Sequence, residues 1–221
     1  MARGIRVHFH SITELPEQLR HYMAFCWHRE DGLHIYLNNE LDVRHAEVTT
    51  AHELAHEILV YEGYPAALPS SPSDVQAQIL ATRLGSSILN ALVNRRIGEL
   101  GFDLSLLDET GIRALVRNTP KNPDLERMAQ WENLVYNGLA YLDNHLDKQL
   151  NPRTMPELDA QAVFLKTIPG QWDLIEEMLA VVEAIGIEKP EQCLEVLIRL
   201  RDILRLGGKV LVLDVRSGEF H

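Results

Sequence analysis

The chain has 221 residues, a length that suits one domain, with or without a sizeable appended region, and that allows a packed core. Apolar residues make up 46% and charged residues 24% of it, which excludes the composition of an intrinsically disordered chain. The formal net charge of −11 disfavours nucleic acids and anionic membrane surfaces as partners, because it repels their phosphates.

The amino-terminal part of the sequence predicts two short strands and two helices. Alternating apolar and polar residues indicate the strands, and apolar residues at helical spacing indicate the helices. Asp42 is expected to cap the second helix and Gly63 to end it. The four elements are strand Ile5–His10, helix Glu14–Ala24, strand Leu33–Leu37 and a helix from Asp42 through Glu62.

The remaining sequence predicts helices almost throughout. Gly63–Ser73 holds three prolines and is expected to be a surface loop. Ser71, Pro72 and Asp74 then resemble an N-cap, an N1 proline and an N3 acid that open the next helix. The predicted helices run from there to about Gly98 and over Asp103–Asn118, Leu125–Leu150, Pro156–Lys166, Gln171–Ile185 and Gln192–Leu206, and a closing strand covers Lys209–Val215.

The pattern therefore predicts an α+β, mainly helical fold, in which a small N-terminal sheet packs on the helix from Asp42 and a helical C-terminal region follows. Cys26 and Cys193 are too few for a disulfide framework and are expected to be reduced thiols. The first residues lack the apolar run of a secretory signal, and no apolar run approaches the ~20 residues that span a bilayer. We expect a cytoplasmic protein with no membrane partner.

One motif in the helix from Asp42 carries chemistry. His52-Glu53-Leu54-Ala55-His56 has the pattern His-Glu-x-x-His. Residues four apart project from the same face of a helix, so His52 and His56 can bind one Zn²⁺. Glu53 lies on the adjacent flank, where its carboxylate can take a proton from a water that the metal activates. The motif predicts zinc-dependent hydrolysis of peptide bonds, with Glu53 as the general base.

A catalytic zinc ion normally has a third protein ligand, which must come from outside this motif. An acid at the start of the next helix is the natural candidate, and Asp74 is the first acid after the loop. Alternatively, Asp74 caps its helix through backbone N–H groups. Glu62 and Glu57 are further candidates, although Glu57 lies on a different flank from the two histidines.

Residues 33–59, LHIYLNNELDVRHAEVTTAHELAHEIL, resemble the ImmA/IrrE-type metallopeptidases. In that family a short strand ending in Asn precedes a Thr-x-Ala-His-Glu-Leu-x-His helix, which Thr49 to His56 match. The family shows Glu-x-x-Ala-Asn-x-Phe-Ala at the start of the next helix, and here DVQAQILA begins with Asp74 in place of Glu. The resemblance covers about residues 33–84. It implies that Asp74 is the third zinc ligand and that the substrate is a protein.

We expect the chain to divide into a zincin-like metallopeptidase domain over residues 1–100 and a mainly helical region, with a possible closing strand, over residues 101–221. The second region could be a lid, a substrate-docking module or a dimerisation surface, so a homodimer is among the expected assemblies. Strand Leu33–Leu37 could be the sheet edge to which an extended peptide substrate adds.

Other histidines and tyrosines are secondary candidates. His8 and His10 share one face of the first strand and could reach a metal, although an ordinary polar position is commoner. A donor beside the zinc could stabilise an oxyanion, and the tyrosines among these candidates are favoured as packing residues. These donors are His28, His34, His45, Tyr61 and Tyr64.

The expected function is that of a zinc metallopeptidase that cleaves a polypeptide, with Zn²⁺ held by His52, His56 and Asp74. An alternative is a non-catalytic regulatory or binding protein on the same scaffold, which the replacement of Glu by Asp favours. A third hypothesis is that the protein hydrolyses a non-peptide amide or ester.

Overall fold

A computed structural model describes residues 6–15, 17, 20, 23–29, 31–110, 112 and 123–221 of the chain. These residues form an α+β, mainly helical fold, as the sequence predicts. Within the described ranges, no helix combines the length and the apolar character needed to cross a bilayer.

The N-terminal sheet has three strands in the order β1-β3-β2, with β3 parallel to β1 and antiparallel to β2. The prediction that Leu33–Leu37 forms a sheet edge is therefore wrong, because β3 pairs on both sides. Strand β2 was not predicted, and Ala24, which was predicted to end a helix, begins this strand. Residues 16, 18, 19, 21 and 22 of that helix lie outside the described residues. The strands are β1 (Val7–Ser11), β2 (Ala24–Arg29) and β3 (Gly32–Leu37).

Helix α1 (Val43–Tyr61) carries the His-Glu-x-x-His motif. Asp42 caps it as predicted, since its side chain accepts a hydrogen bond from the His45 backbone N–H at 2.9 Å. Gly63 ends the helix with a φ of +86°, a backbone conformation that residues other than glycine rarely adopt.

The segment predicted as a loop after α1 contains a fourth strand, β4 (Ala66–Pro69), which pairs antiparallel with the closing strand. Pro69 is tolerated because β4 is an edge strand. Helix α2 (Val75–Glu99) starts later than predicted. Asp74 is its N-cap and not its third residue, because the Asp74 side chain accepts the Ala77 N–H at 3.1 Å.

The remaining helices follow the predicted order, with two differences. The helix predicted over Leu125–Leu150 is two helices, separated at Ala129 and Gln130. Of Asp103–Asn118, only the first part is described as a helix, and residues 111 and 113–118 lie outside the described residues. The helices are α3 (Ser105–Thr110), α4 (Leu125–Met128), α5 (Trp131–Leu150), α6 (Pro156–Leu165), α7 (Gln171–Ile185) and α8 (Pro190–Ile203).

A second antiparallel sheet closes the fold in the order β4-β5-β6, with β5 at Val210–Asp214 and β6 at Glu219–Phe220. The hydrophobic core around α2 runs continuously from Val48 in α1 to Val212 in β5. Helix α2 packs against α1, α5, α8 and both β4 and β5, so it is buried on nearly every side. The core therefore extends across the predicted domain division at residue 100.

Candidate active site

Three helices of this core each present two polar side chains four residues apart, and these side chains line two adjoining cavities. Residues four apart share one face of a helix, so each pair points in a common direction. The pairs are His52 and His56 on α1, Asn90 and Asn94 on α2, and Asp143 and Asp147 on α5.

The two imidazoles of the motif face each other through their outer nitrogens. His52 Nε2 and His56 Nε2 lie 3.2 Å apart, and the ring planes are inclined at 75°. Two nitrogens bound to one tetrahedral zinc ion at 2.0–2.1 Å are about 3.3 Å apart. The spacing of the two ring nitrogens therefore fits a shared zinc ion without rearrangement of α1.

Asn94 sets the proton position on His52. Its Oδ1 atom can only accept a hydrogen bond, and it lies 2.8 Å from His52 Nδ1. His52 therefore carries its proton on Nδ1, and its Nε2 lone pair points towards His56. Metal-binding histidines usually have such an acceptor at the second ring nitrogen, which fixes the tautomer and orients the ring.

Asn90 brings an oxygen to the same point. Its Nδ2 donates to Asp143 Oδ2 at 2.9 Å, so its Oδ1 faces His56 Nε2 at 3.0 Å. The carboxyl group of Asp143 thus fixes the orientation of the Asn90 amide.

Three donor atoms converge at this point: His52 Nε2, His56 Nε2 and Asn90 Oδ1. His52 Nε2 and Asn90 Oδ1 each present a lone pair. The hydrogen that lies between the three atoms is therefore on His56 Nε2, which donates to the other two. A divalent cation can take the place of such a proton. Burial lowers the pKa of His52, and burial and the neighbouring His52 lower the pKa of His56 to about 3. Both rings are therefore neutral near pH 7, as metal binding requires.

The Glu53 side chain lines the same space, and its pKa is higher than that of an ordinary glutamate. Burial, followed by the negative charge of Glu57, raises the pKa of Glu53 to about 7. A carboxyl group with a pKa near the working pH can both accept and return a proton. The acidity of Glu53 is therefore compatible with the proton transfer expected of it.

Two adjoining cavities surround these residues. One has a volume of about 360 Å³ and the other about 230 Å³, and both are lined by His52, Glu53, Asn90 and Asp143. Ala24 of β2 lines both cavities, which brings a sheet edge to the site. The site therefore has room for a substrate beside both the imidazoles and the Glu53 carboxyl group.

Arg153 neutralises two other acids at the cavity wall. It donates to Asp108 of α3 at 2.8 and 2.6 Å, and to Asp147 of α5 at 2.5 Å. All three side chains are at most 17% exposed. The ion pairs join α3 to α5 beside the site, and they leave Asp143 as the acid that contacts the Asn90 amide.

The structure does not bring Asp74 to the imidazoles. Asp74 caps α2, and Asn90, which contacts His56, lies 16 residues further along the same helix. At a rise of 1.5 Å per residue, the two positions are about 24 Å apart along the axis. Asp74 is thus the helix cap, which was the alternative prediction, and the acid that contacts the Asn90 amide is Asp143 from α5.

The other predicted residues also lie in different surroundings. Glu62 pairs with Arg96 at 2.7 Å on the surface, and Glu57 is buried with its Oε1 4.0 Å from Cys26 Sγ. Tyr64 donates to the Glu188 carbonyl at 2.9 Å, so it is a packing residue as favoured.

The remaining donor candidates divide in the same way. Tyr61 is 68% exposed, and the side chain of His28 lies outside the described part of the chain. His45 lies between Asp42 at 2.9 Å and Glu109 at 3.3 Å, at the start of α1. His8, His10 and His34 form a separate cluster on the N-terminal sheet.

Three residues of the site were not predicted from the sequence: Asn90, Asn94 and Asp143. A signal was present, because two asparagines four apart in the otherwise apolar stretch of α2 repeat the spacing of the two histidines. Comparisons of the chain with protein-family models, with curated proteins and with solved structures gave no match.

Proposed function

We propose that this protein is a cytoplasmic zinc-dependent metallopeptidase, similar to the ImmA/IrrE type, that hydrolyses a polypeptide. The observation that carries the proposal is the 3.2 Å approach of His52 Nε2 and His56 Nε2, with Asn90 Oδ1 3.0 Å from His56 Nε2. These three atoms would hold the metal. A bound divalent ion supplies Lewis-acid chemistry, which makes water easier to deprotonate and a carbonyl easier to attack.

The chain's own groups carry the proton transfers and the positioning. Glu53, with its pKa of about 7, accepts a proton from the attacking water and returns it to the departing amine. Asn94 holds the His52 ring in place by accepting from Nδ1, and Asp143 holds the Asn90 amide by accepting from Nδ2.

The sheet edge beside the cavity favours an extended peptide as the substrate. In the sheet order β1-β3-β2, β2 is an edge strand among the described strands, and its residues Ala24 and Cys26 line the larger cavity. A peptide that adds to β2 would gain main-chain hydrogen bonds and lie across the site. This assigns to β2 the role that the sequence analysis gave to Leu33–Leu37.

The test compares wild type with Glu53→Gln. Bound zinc is measured by elemental analysis, and cleavage of a peptide library by mass spectrometry. We expect Glu53→Gln to keep its zinc and to lose activity by about 10² to 10⁴-fold, the usual contribution of a general base. Glu62→Gln is the matched control, because it makes the same change on the surface next to α1. Equal activity in Glu53→Gln and wild type would refute the proposal.

One observation favours the second candidate, a non-catalytic protein on this scaffold. The oxygen nearest the imidazoles belongs to an amide, that of Asn90, whereas the carboxylate of Asp143 lies one hydrogen bond further away. Amide oxygens are weaker donors to zinc than the carboxylates of usual catalytic sites. Zinc binding with no cleavage by either wild type or Glu53→Gln would select this candidate.

A further inference from the structure

A second group of histidines lies on the N-terminal sheet, apart from the α1 motif. Strands β1 and β3 run parallel in a register that sets His8 beside His34 and His10 beside Tyr36. The His34 ring stacks between those of His8 and His10, with centroids 4.7 and 4.9 Å away. The stack holds three imidazoles in fixed positions on one face of the sheet.

Asp31, at the turn between β2 and β3, closes this group. Its Oδ1 lies 2.9 Å from His34 Nε2, and its Oδ2 lies 3.9 Å from His8 Nε2. His8 Nε2 is shielded from solvent, and no group among the described residues forms a hydrogen bond with it. The three ligand atoms all lie within 4.8 Å of one another. These three side chains could therefore hold a metal ion, and within the described part of the chain His8 Nε2 has no hydrogen-bond partner.

The hydrogen bonds around His34 point the same way. Glu14 contacts His10 at 3.3 Å, His10 contacts His34 at 2.8 Å, and His34 contacts Asp31 at 2.9 Å. These contacts fix the orientation of the His34 ring, with Nδ1 towards His10 and Nε2 towards Asp31.

We propose that His8, Asp31 and His34 form a second metal site, which binds Zn²⁺ or a similar first-row transition cation. Two imidazoles and one carboxylate are the donors that such ions prefer over Mg²⁺ or Ca²⁺. Asp31 is 59% exposed, so the site stays open to water and its ion exchanges readily. The bound ion ties β1 to the β2–β3 turn and stabilises the N-terminal sheet. His10 is a positioning residue, since it contacts the ring nitrogen of His34 opposite the metal.

The test is a zinc titration of the full chain against a chromophoric competing chelator. We expect wild type to bind two equivalents of zinc, and His8→Ala and the double variant His52→Ala/His56→Ala to bind one each. The triple variant, which combines all three substitutions, should bind none. His221→Ala, at the exposed C-terminus, is the matched control and should keep two equivalents. The double variant isolates the second site, so the outcome does not depend on any hydrolytic activity.

A second readout separates binding from damage to the fold. In the double variant, added zinc should raise the melting temperature, and replacement of His8 should abolish the rise. His10→Ala should keep the same stoichiometry with an affinity about 10 to 100-fold weaker. The proposal is overturned if the folded double variant binds no zinc, or if His8→Ala binds as much zinc, with the same affinity, as its parent.

Discussion

Asn94 offers the sharpest test of the α1 site, because one hydrogen bond accounts for its expected effect. The side chain is 6% exposed and accepts from His52 Nδ1 at 2.8 Å. In Asn94→Leu the acceptor is lost while the space stays filled. The imidazole proton is then free to move to Nε2, the atom that must bind the metal. Loss of such an acceptor typically weakens metal binding by about 10 to 100-fold, or roughly 1.4 to 2.7 kcal/mol.

Asn94→Asp should not weaken zinc binding. A carboxylate keeps the acceptor and adds a negative charge that makes the His52 ring more basic, so zinc should bind at least as tightly as in wild type. Zinc affinity is measured by competition with a chromophoric chelator. The free energy of unfolding is measured separately by urea denaturation with chelator present, so that a change in folding is not read as a change in binding.

Ser87→Ala is the control for this pair, because Ser87 is a buried polar residue of the same helix that donates to the Leu84 carbonyl. It should leave zinc affinity unchanged. If Asn94→Leu binds zinc within about twofold of wild type, His52 does not depend on Asn94 for its tautomer, and the assignment of Asn94 to the metal site is refuted.

Three further predictions concern stability, each measured by urea denaturation. Arg153→Met should cost about 3 to 5 kcal/mol, because it leaves the buried carboxylates of Asp108 and Asp147 without their cation; a loss below 1 kcal/mol would contradict this. Leu142→Ala should cost about 2 to 5 kcal/mol, since Leu142 is fully buried where α5 meets the core, and a surface-like change below 0.5 kcal/mol would show that it does not pack there. Burial and the charge of Asp147 raise the pKa of Asp143 to about 7, so the metal-free folded state holds a proton that the unfolded state releases above about pH 4. Stability should therefore fall between pH 4 and 7, and Asp143→Asn, with nothing to deprotonate, should reduce that fall; an equal fall in both proteins would refute the assignment.

The helices were predictable where their boundaries depend on local chemistry. Asp42 caps α1 and Gly63 ends it because both effects involve only neighbouring backbone groups. The predicted bounds Gln171–Ile185 coincide with those of α7 for the same reason. The strands were harder, because β4 is a strand only through its pairing with β5, more than 140 residues later in the chain. Local residue types in Ala66–Pro69 do not indicate that partner.

The prediction that Asp74 is the acid at the site was wrong for a related reason. Asp74 is the first acid of the helix after α1, but which part of α2 faces the motif depends on how the two helices cross. The crossing brings Asn90 and Asn94 to the histidines and leaves Asp74 as a cap. Asp143 reaches the Asn90 amide only because α5 packs on α2, a contact between residues 53 apart.

The sequence by itself determined that His52 and His56 share one face of a helix with Glu53 beside them, because the periodicity of an α-helix is set by its own backbone. Tertiary structure alone decided which side chains meet these three residues, and that β2 rather than β3 is the edge strand beside them among the described strands. The difference is physical: helical periodicity and capping involve residues within one or two turns, whereas the composition of a site between helices depends on long-range packing of the whole core.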